Sequence, residues 1–210
     1  MDLENLDQGL YRLKIPFMSV TTTVYFYICA QGTAIIDSAS YPSDVDDYIL
    51  PALDALGISR ESVKMILQTH DHGDHAGGLQ RLAQALPHAV VRTSFDTDLP
   101  NQKPLEDGEM VLGNLKAVFL PGHTYDSYGF FDTATKTLLS GDCLQLAGIG
   151  CYRNNFTDLG LYVDSIHKLQ QMDIRRIVAA HEFDPLGSLA EGVPAVENYL
   201  EQCIQIVQRS

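Results

Sequence analysis

The spacing of apolar residues changes along the chain, and each change marks an element. Thr23 to Cys29 is a β-branched and aromatic run. Gln31-Gly32 makes a turn, and Thr33 to Ile36 gives a second strand that ends at Asp37. The first forty residues as a whole read as β. From Ser43 the period becomes helical, with Val45, Tyr48, Ile49, Ala52, Leu53 and Leu56 on one face. Ser43 serves as a cap and Gly57 as a stop, and Pro51 inside the pattern predicts a kink or a break. Val63 to Leu67 is a short apolar strand leading to His70. Gly77-Gly78 closes the loop after it, Leu79 to Leu86 reads as a helix, and His88 to Arg92 as a buried strand.

Residues 93–108 read as loop. Val111 to Leu120 gives one or two strands ending at Pro121-Gly122-His123. Gly129 to Phe131 and Thr137 to Leu139 form a hairpin whose second strand runs to Gly141-Asp142. Leu159 to Met172 is helical with Asp158 as its cap, Ile177 to Ala180 is a strand ending at His181, and Ala195 to Val207 is an amphipathic helix. The stripe of that last helix is a core face or a homodimer face. Strands mixed with helices throughout, with no linker between them, predict one layered α+β domain over residues 1–210. Strands that end repeatedly in His or Asp, followed by glycine turns, place chemistry at one edge of a sheet.

Composition narrows the function classes. A formal net charge of −13 repels phosphate backbones and anionic lipid heads, and no Lys/Arg cluster offsets it. Nucleic acid and membrane are therefore excluded as partners, and a small-molecule substrate is expected. No apolar stretch approaches the roughly 18 residues of a membrane span, and Met1 to Pro16 lacks the pattern of a signal peptide. Cys29, Cys143, Cys151 and Cys203 are spread without a C-x-x-C pair, which reads as reduced thiols in a cytoplasm.

The strongest chemical feature is His70-Asp71-His72-Gly73-Asp74-His75. The three His and Asp74 bind zinc-like metals well. His70 and His72, two apart on an extended loop, grip one ion. Gly73 lets the chain turn, and Asp74 and His75 face a neighbouring position. A catalytic tetrahedral site takes three protein ligands plus water, so each ion needs another donor. His123, Asp142 and His181 are the strand-end candidates, one His per ion and a carboxylate shared. Asp37 reads as a support for the ligand loop through hydrogen bonds, Asp71 as solvated, and Cys143 as a small buried side chain.

These residues resemble the metallo-β-lactamase superfamily. Thr69 to Gly78, THDHGDHAGG, matches T-H-x-H-x-D-H-x-G-G, and the later PGHT, SGD and AHE follow in that superfamily's order. The resemblance covers about residues 20–185 and implies a four-layer αββα sandwich with the metals at one edge. It implies a first ion on His70, His72 and His123, a second on Asp74, His75 and His181, and Asp142 bridging. Two divalent cations are implied, zinc first, with iron or manganese not separated by His/Asp ligation. A hydroxide bridging the two ions is the implied nucleophile, oriented by Asp74.

Gly148-Ile149-Gly150, Tyr162 to Leu169 and Ile177 to His181 look like the glyoxalase II branch, which hydrolyses thioesters. The sequence departs from it at Cys151, where an arginine is usual, and at His-Glu-Phe-Asp-Pro around His181. The helical domain that glyoxalase II uses for glutathione is not found after His181. The tyrosine that acyl-homoserine lactonases carry after the bridging aspartate is replaced in Leu144-Gln145-Leu146. The expected activity is hydrolysis of a small ester, thioester or lactone. A mononuclear-iron persulfide dioxygenase is the alternative.

Overall fold

A computed structural model describes residues 1–208, which divide into two compact units, Met1–Leu105 and a second that begins at Glu106. The first unit holds one mixed seven-stranded sheet. Its strands are β1 Asp2–Asp7, β2 Leu10–Phe17, β3 Val20–Cys29, β4 Gly32–Ile36, β5 Val63–Leu67, β6 Val90–Thr93 and β7 Gln102–Pro104, lying side by side in that order. β1 to β4 form an antiparallel meander, while β4 to β7 run parallel. Parallel pairing needs crossovers, and the helical segments supply them.

The β4–β5 crossover carries α1 Pro42–Asp44, a π-helical turn at Val45–Ile49 and α2 Leu50–Ala55. Leu50 N–H donates to Val45 O, five residues back. Pro51 explains the wide turn: it has no N–H, and its ring crowds the carbonyl four residues earlier, so the helix opens before it. The break expected at Pro51 thus takes this form. Ile49, Ala52 and Leu53 are wholly buried and pack with Leu13, Phe26, Ile35, Ile66 and Val91 in the unit's core. Truncating a residue such as Ile66 to Ala costs about 2–5 kcal/mol.

The β5–β6 crossover carries α3 Gly73–Ala76 and α4 Leu79–Ala85. The chain turns between them at Gly77 and Gly78. A Cβ on Gly77 would lie 1.9 Å from Ser40 O, and one on Gly78 would lie 2.1 Å from Ser38 O. Both glycines exist because the loop after β4 passes directly against them. The pairing of Ile36 with Leu67 brings the end of β4 level with the end of β5, so Asp37 stands beside Thr69.

The second unit holds a six-stranded mixed sheet of order β13-β12-β11-β10-β9-β8. The strands are β8 Met110–Leu112, β9 Leu115–Phe119, β10 Tyr128–Asp132, β11 Thr137–Gly141, β12 Arg176–Ala179 and β13 Leu189–Glu191. α5 Leu159–Gln170 crosses between the parallel β11 and β12, and α6 Val193–Gln208 follows β13. Asp158 caps α5 as expected, accepting Leu161 N–H at 2.9 Å. β9 is antiparallel to β10 and β10 to β11, so β9, β11 and β12 point the same way. Their C-terminal ends deliver His123, Asp142 and His181 to one edge.

Among the described residues, the 3-10 turn Arg60–Ser62, α3, β7 and β13 escaped the sequence pattern. α3 lies where an extended loop was expected, and β7 and β13 are three-residue strands too short to show a period. Among the described residues no helix is long and apolar enough to cross a membrane.

Candidate metal centre

In the first unit the ligand loop starts extended and then coils. His72 has φ −62° and ψ 144° and caps α3, so Asp74 and His75 are presented by a helical turn. Ligand atoms of His70 and His72 lie within 4.8 Å of each other, as do those of His70 and His75, and of Asp74 and His75. Asp74 O accepts the Thr22 hydroxyl at 2.7 Å, and His75 O accepts both the N–H and the hydroxyl of Ser38. Strand β3 and the loop after β4 therefore hold the backbone that aims the donors.

Asp37 sits beneath this loop, fully buried, at φ +64°. That conformation costs an L residue roughly 1 kcal/mol and is held by what the carboxylate receives. It accepts Thr69 N–H at 2.8 Å, the Thr69 hydroxyl at 2.9 and 3.0 Å, and His75 Nδ1–H at 2.8 Å. The chemistry fixes two tautomers. A carboxylate only accepts, so His75 carries its proton on Nδ1. The Thr69 hydroxyl has given its one proton to Asp37, so it accepts from His70 Nδ1 at 3.0 Å. His70 and His75 consequently offer bare Nε2 atoms, the form a metal requires. Asp37 bears out its expected supporting role. Thr69 has a role that its place in the motif alone did not show.

In the second unit Asp142 is the centre. Its Oδ2 lies 3.7 Å from His123 Nε2 and its Oδ1 lies 3.4 Å from His181 Nε2. His75 Nε2 and Asp74 Oδ2 in the first unit are likewise 3.7 Å apart. Two ligands of one tetrahedral ion at about 2.1 Å stand about 3.4 Å from each other, so these separations suit shared coordination. All three second-unit donors are buried.

His123 is framed by the loop after β11. Thr157 donates N–H and hydroxyl to His123 O, and the Thr157 and Asp158 N–H groups reach Gly122 O. A Cβ on Gly122 would meet Tyr162 Cα at 2.3 Å, so α5 packs against bare backbone there. His123 Nδ1 has Asn155 O at 2.7 Å and Gln145 Nε2 at 2.6 Å. Neither neighbour belonged to the expected set. Gln145 is detectable in sequence only as a polar residue between two leucines. Asn155 acts through its main chain and leaves no signal. Asp71 is exposed, as expected. Cys143 is buried, and Tyr125 is mostly exposed.

Residues 20–114 match the family model described as the metallo-beta-lactamase superfamily. The matched stretch contains His70, His72, Asp74 and His75.

Atrochrysone carboxyl ACP thioesterase AacuM of Aspergillus aculeatus is 30% identical over 86% of this chain and 58% of its own length. The hydroxyacylglutathione hydrolase of Francisella philomiragia is 33% identical over 55% of this chain and 48% of its own length. The chain thus spans about half of the length of these curated relatives. The metallo-beta-lactamase family protein TTHA1429 of Thermus thermophilus has a structure that aligns with a TM-score of 0.74 and 24% identity, over 98% of this chain and 81% of that one. The metallo-beta-lactamase fold is therefore shown: two mixed sheets with flanking helices. The clustered donors within each unit are imidazoles and carboxylates, a chemistry without a thiolate. It suits zinc, iron or manganese alike.

Proposed function

We propose that this chain is a metal-dependent hydrolase of the metallo-beta-lactamase superfamily with a dinuclear centre. His70, His72 and His123 would hold one cation, Asp74, His75 and His181 the other, and Asp142 both. The observation that carries the reading is Asp142, whose two oxygens face two different histidines, an arrangement open to a carboxylate shared by two cations.

Two bound cations supply Lewis acidity and a water acidic enough to act as nucleophile near neutral pH. The chain's own residues do the rest. Asp37 and Thr69 keep the Nδ1 protons of His75 and His70 in place, and α3 fixes Asp74 beside His75. The buried donors His70, His75, His123, Asp142 and His181 limit access of bulk water and strengthen the charge interactions around them. No catalytic serine or cysteine arrangement accompanies them in the sequence, which favours attack by water.

Small esters, thioesters and lactones are the proposed substrates. Thioesters come first, because one relative is named a thioesterase and another a hydroxyacylglutathione hydrolase. The test is a panel of acyl esters, acyl thioesters and lactones run beside metal analysis of the purified protein. Two equivalents of zinc per chain with hydrolysis and no oxygen uptake support the reading. One iron per chain with oxygen consumption on a persulfide overturns it in favour of the dioxygenase.

A further inference from the structure

His123 Nδ1 lies between two groups that make opposite demands on it. Asn155 O, at 2.7 Å, only accepts, so it requires a proton on Nδ1. Gln145 approaches from another side at 2.6 Å. The orientation of that amide is not arbitrary. Its other end faces Asn155 N–H at 3.1 Å, and an N–H only donates, so that end is the oxygen. The end facing the ring is therefore NH2, a donor that requires a bare Nδ1. One residue, Asn155, thus orients the amide with its N–H and contests the ring with its carbonyl.

The amide has little freedom to retreat. Gln145 is buried, and its backbone is pinned at both polar groups by Tyr162, whose hydroxyl accepts Gln145 N–H at 2.9 Å and donates to Gln145 O at 2.9 Å. Burial, chiefly, pushes the Tyr162 hydroxyl well above its ordinary value, so it stays a neutral donor.

We infer that Gln145 is a positioning residue that sets the tautomer of His123 and thereby weakens the metal site His123 serves. When Nδ1 accepts from Gln145, the single ring proton sits on Nε2 and the ring offers no lone pair to a cation. When Nδ1–H donates to Asn155 O, Nε2 is bare and the ring is competent. The exchange moves one proton between the two nitrogens with no change of charge. A cation must draw His123 out of the first state, so its apparent affinity falls by the fraction of rings found in the second. At His70 and His75 the Nδ1 atoms face acceptors, Thr69 Oγ1 and Asp37 Oδ2. The inference rests on the proposal that His123 is a metal ligand.

The experiment uses metal-free, ¹⁵N-labelled protein, with the tautomer of His123 read from its imidazole nitrogen shifts, and zinc titrated against a chromophoric chelator. Wild type is expected to show His123 with the proton on Nε2, moving to Nδ1 when zinc is added. Gln145→Glu, which only accepts, is expected to show the Nδ1–H form before zinc is added and to bind the more weakly held zinc about tenfold more tightly. Gln145→Leu removes the donor and is expected to show the Nδ1–H form as well, which keeps the test open should Gln145→Glu fold poorly. An Nδ1–H tautomer in metal-free wild type, with affinity unchanged in Gln145→Glu, overturns the inference. His123→Ala separates the two levels. If it binds zinc as wild type does, the ligand assignment is wrong. If it loses one zinc while the Gln145 variants change nothing, only the tautomer inference fails.

Discussion

His75 Nδ1 lies 2.8 Å from Oδ2 of Asp37, with both side chains wholly buried. Asp37→Ala would leave three donors facing a hole: His75 Nδ1–H, the Thr69 N–H and the Thr69 hydroxyl. Removing one partner of such a buried network costs about 3–5 kcal/mol. Ligand-supporting groups of this kind are also worth about 10–100-fold in metal affinity. Asp37→Ala is expected to lower both the melting temperature and zinc retention under a chelator. Retention equal to wild type would show that His75 needs no such anchor.

Asp142 and His72 test the ligand set itself. Asp142→Ala removes the group placed between His123 and His181, and His72→Ala removes a half-buried donor whose ring meets His70 edge-on. Both variants are expected to lose turnover on any substrate the wild type accepts, and to keep the circular dichroism of the metal-free protein. Near-normal activity with full metal in either would remove these residues from the centre.

Two glycines should respond very differently to a single methyl. Gly122→Ala drives Cβ to 2.3 Å from Tyr162 Cα at φ +138°, and is expected to cost about 3 kcal/mol or more. Gly57→Ala meets nothing within 4 Å and faces only the strain of φ +66°. About 1 kcal/mol is expected there. Chemical denaturation of both variants reads the contrast, and equal losses would contradict the close approach of α5 to Gly122.

The thiols should separate by environment. Burial pushes the Cys203 thiol up to about 12, against the lowering effect of its hydrogen bond with Tyr162. At pH 8 only about one Cys203 in ten thousand is then thiolate, the reactive form. Cys151 is exposed. A thiol reagent added to folded protein is expected to modify Cys151 first and Cys203 only on unfolding. Cys151→Ser should remove the fast phase.

Asp107 offers a pH signature. Burial alone would raise its carboxyl, but the Lys168 hydrogen bonds, the Phe119 N–H, and the charges of Lys168 and Lys116 outweigh it and hold the group below the ordinary carboxylate value. A folded-state value below the unfolded one stabilises above the ordinary carboxylate range, and the benefit is lost as pH falls through the folded value. Lys168→Met is therefore expected to cost more at neutral pH than in strong acid, where the Lys168 hydrogen bond to Phe119 O remains to be lost. The pair is substantially exposed, so solvent screening limits the loss to about 0.5 kcal/mol. Unfolding curves at pH 7 and pH 2.5 check the sign.

The sequence alone determined the strands around His70, His123, Asp142 and His181, the cap of α5 and the break at Pro51. These depend on local rules: alternation, capping, and the missing N–H of proline. It also determined the donor types, because a run of three His and an Asp within six residues has few other uses. Tertiary structure decided what no local rule reaches. The short β7 and β13 take their form from the strands they join. The glycine pair at Gly77-Gly78 reads as a turn in the sequence, but the reason for it is the carbonyls of Ser38 and Ser40 beyond their missing side chains. The tautomers of His70 and His75 depend on Asp37, more than thirty residues away, which reaches them only because β4 and β5 end level. The contest at His123 depends on a glutamine side chain and a main-chain carbonyl that folding brings to one nitrogen. Residue types state which chemistry is available. Hydrogen-bond partners distant in sequence decide which nitrogen performs it.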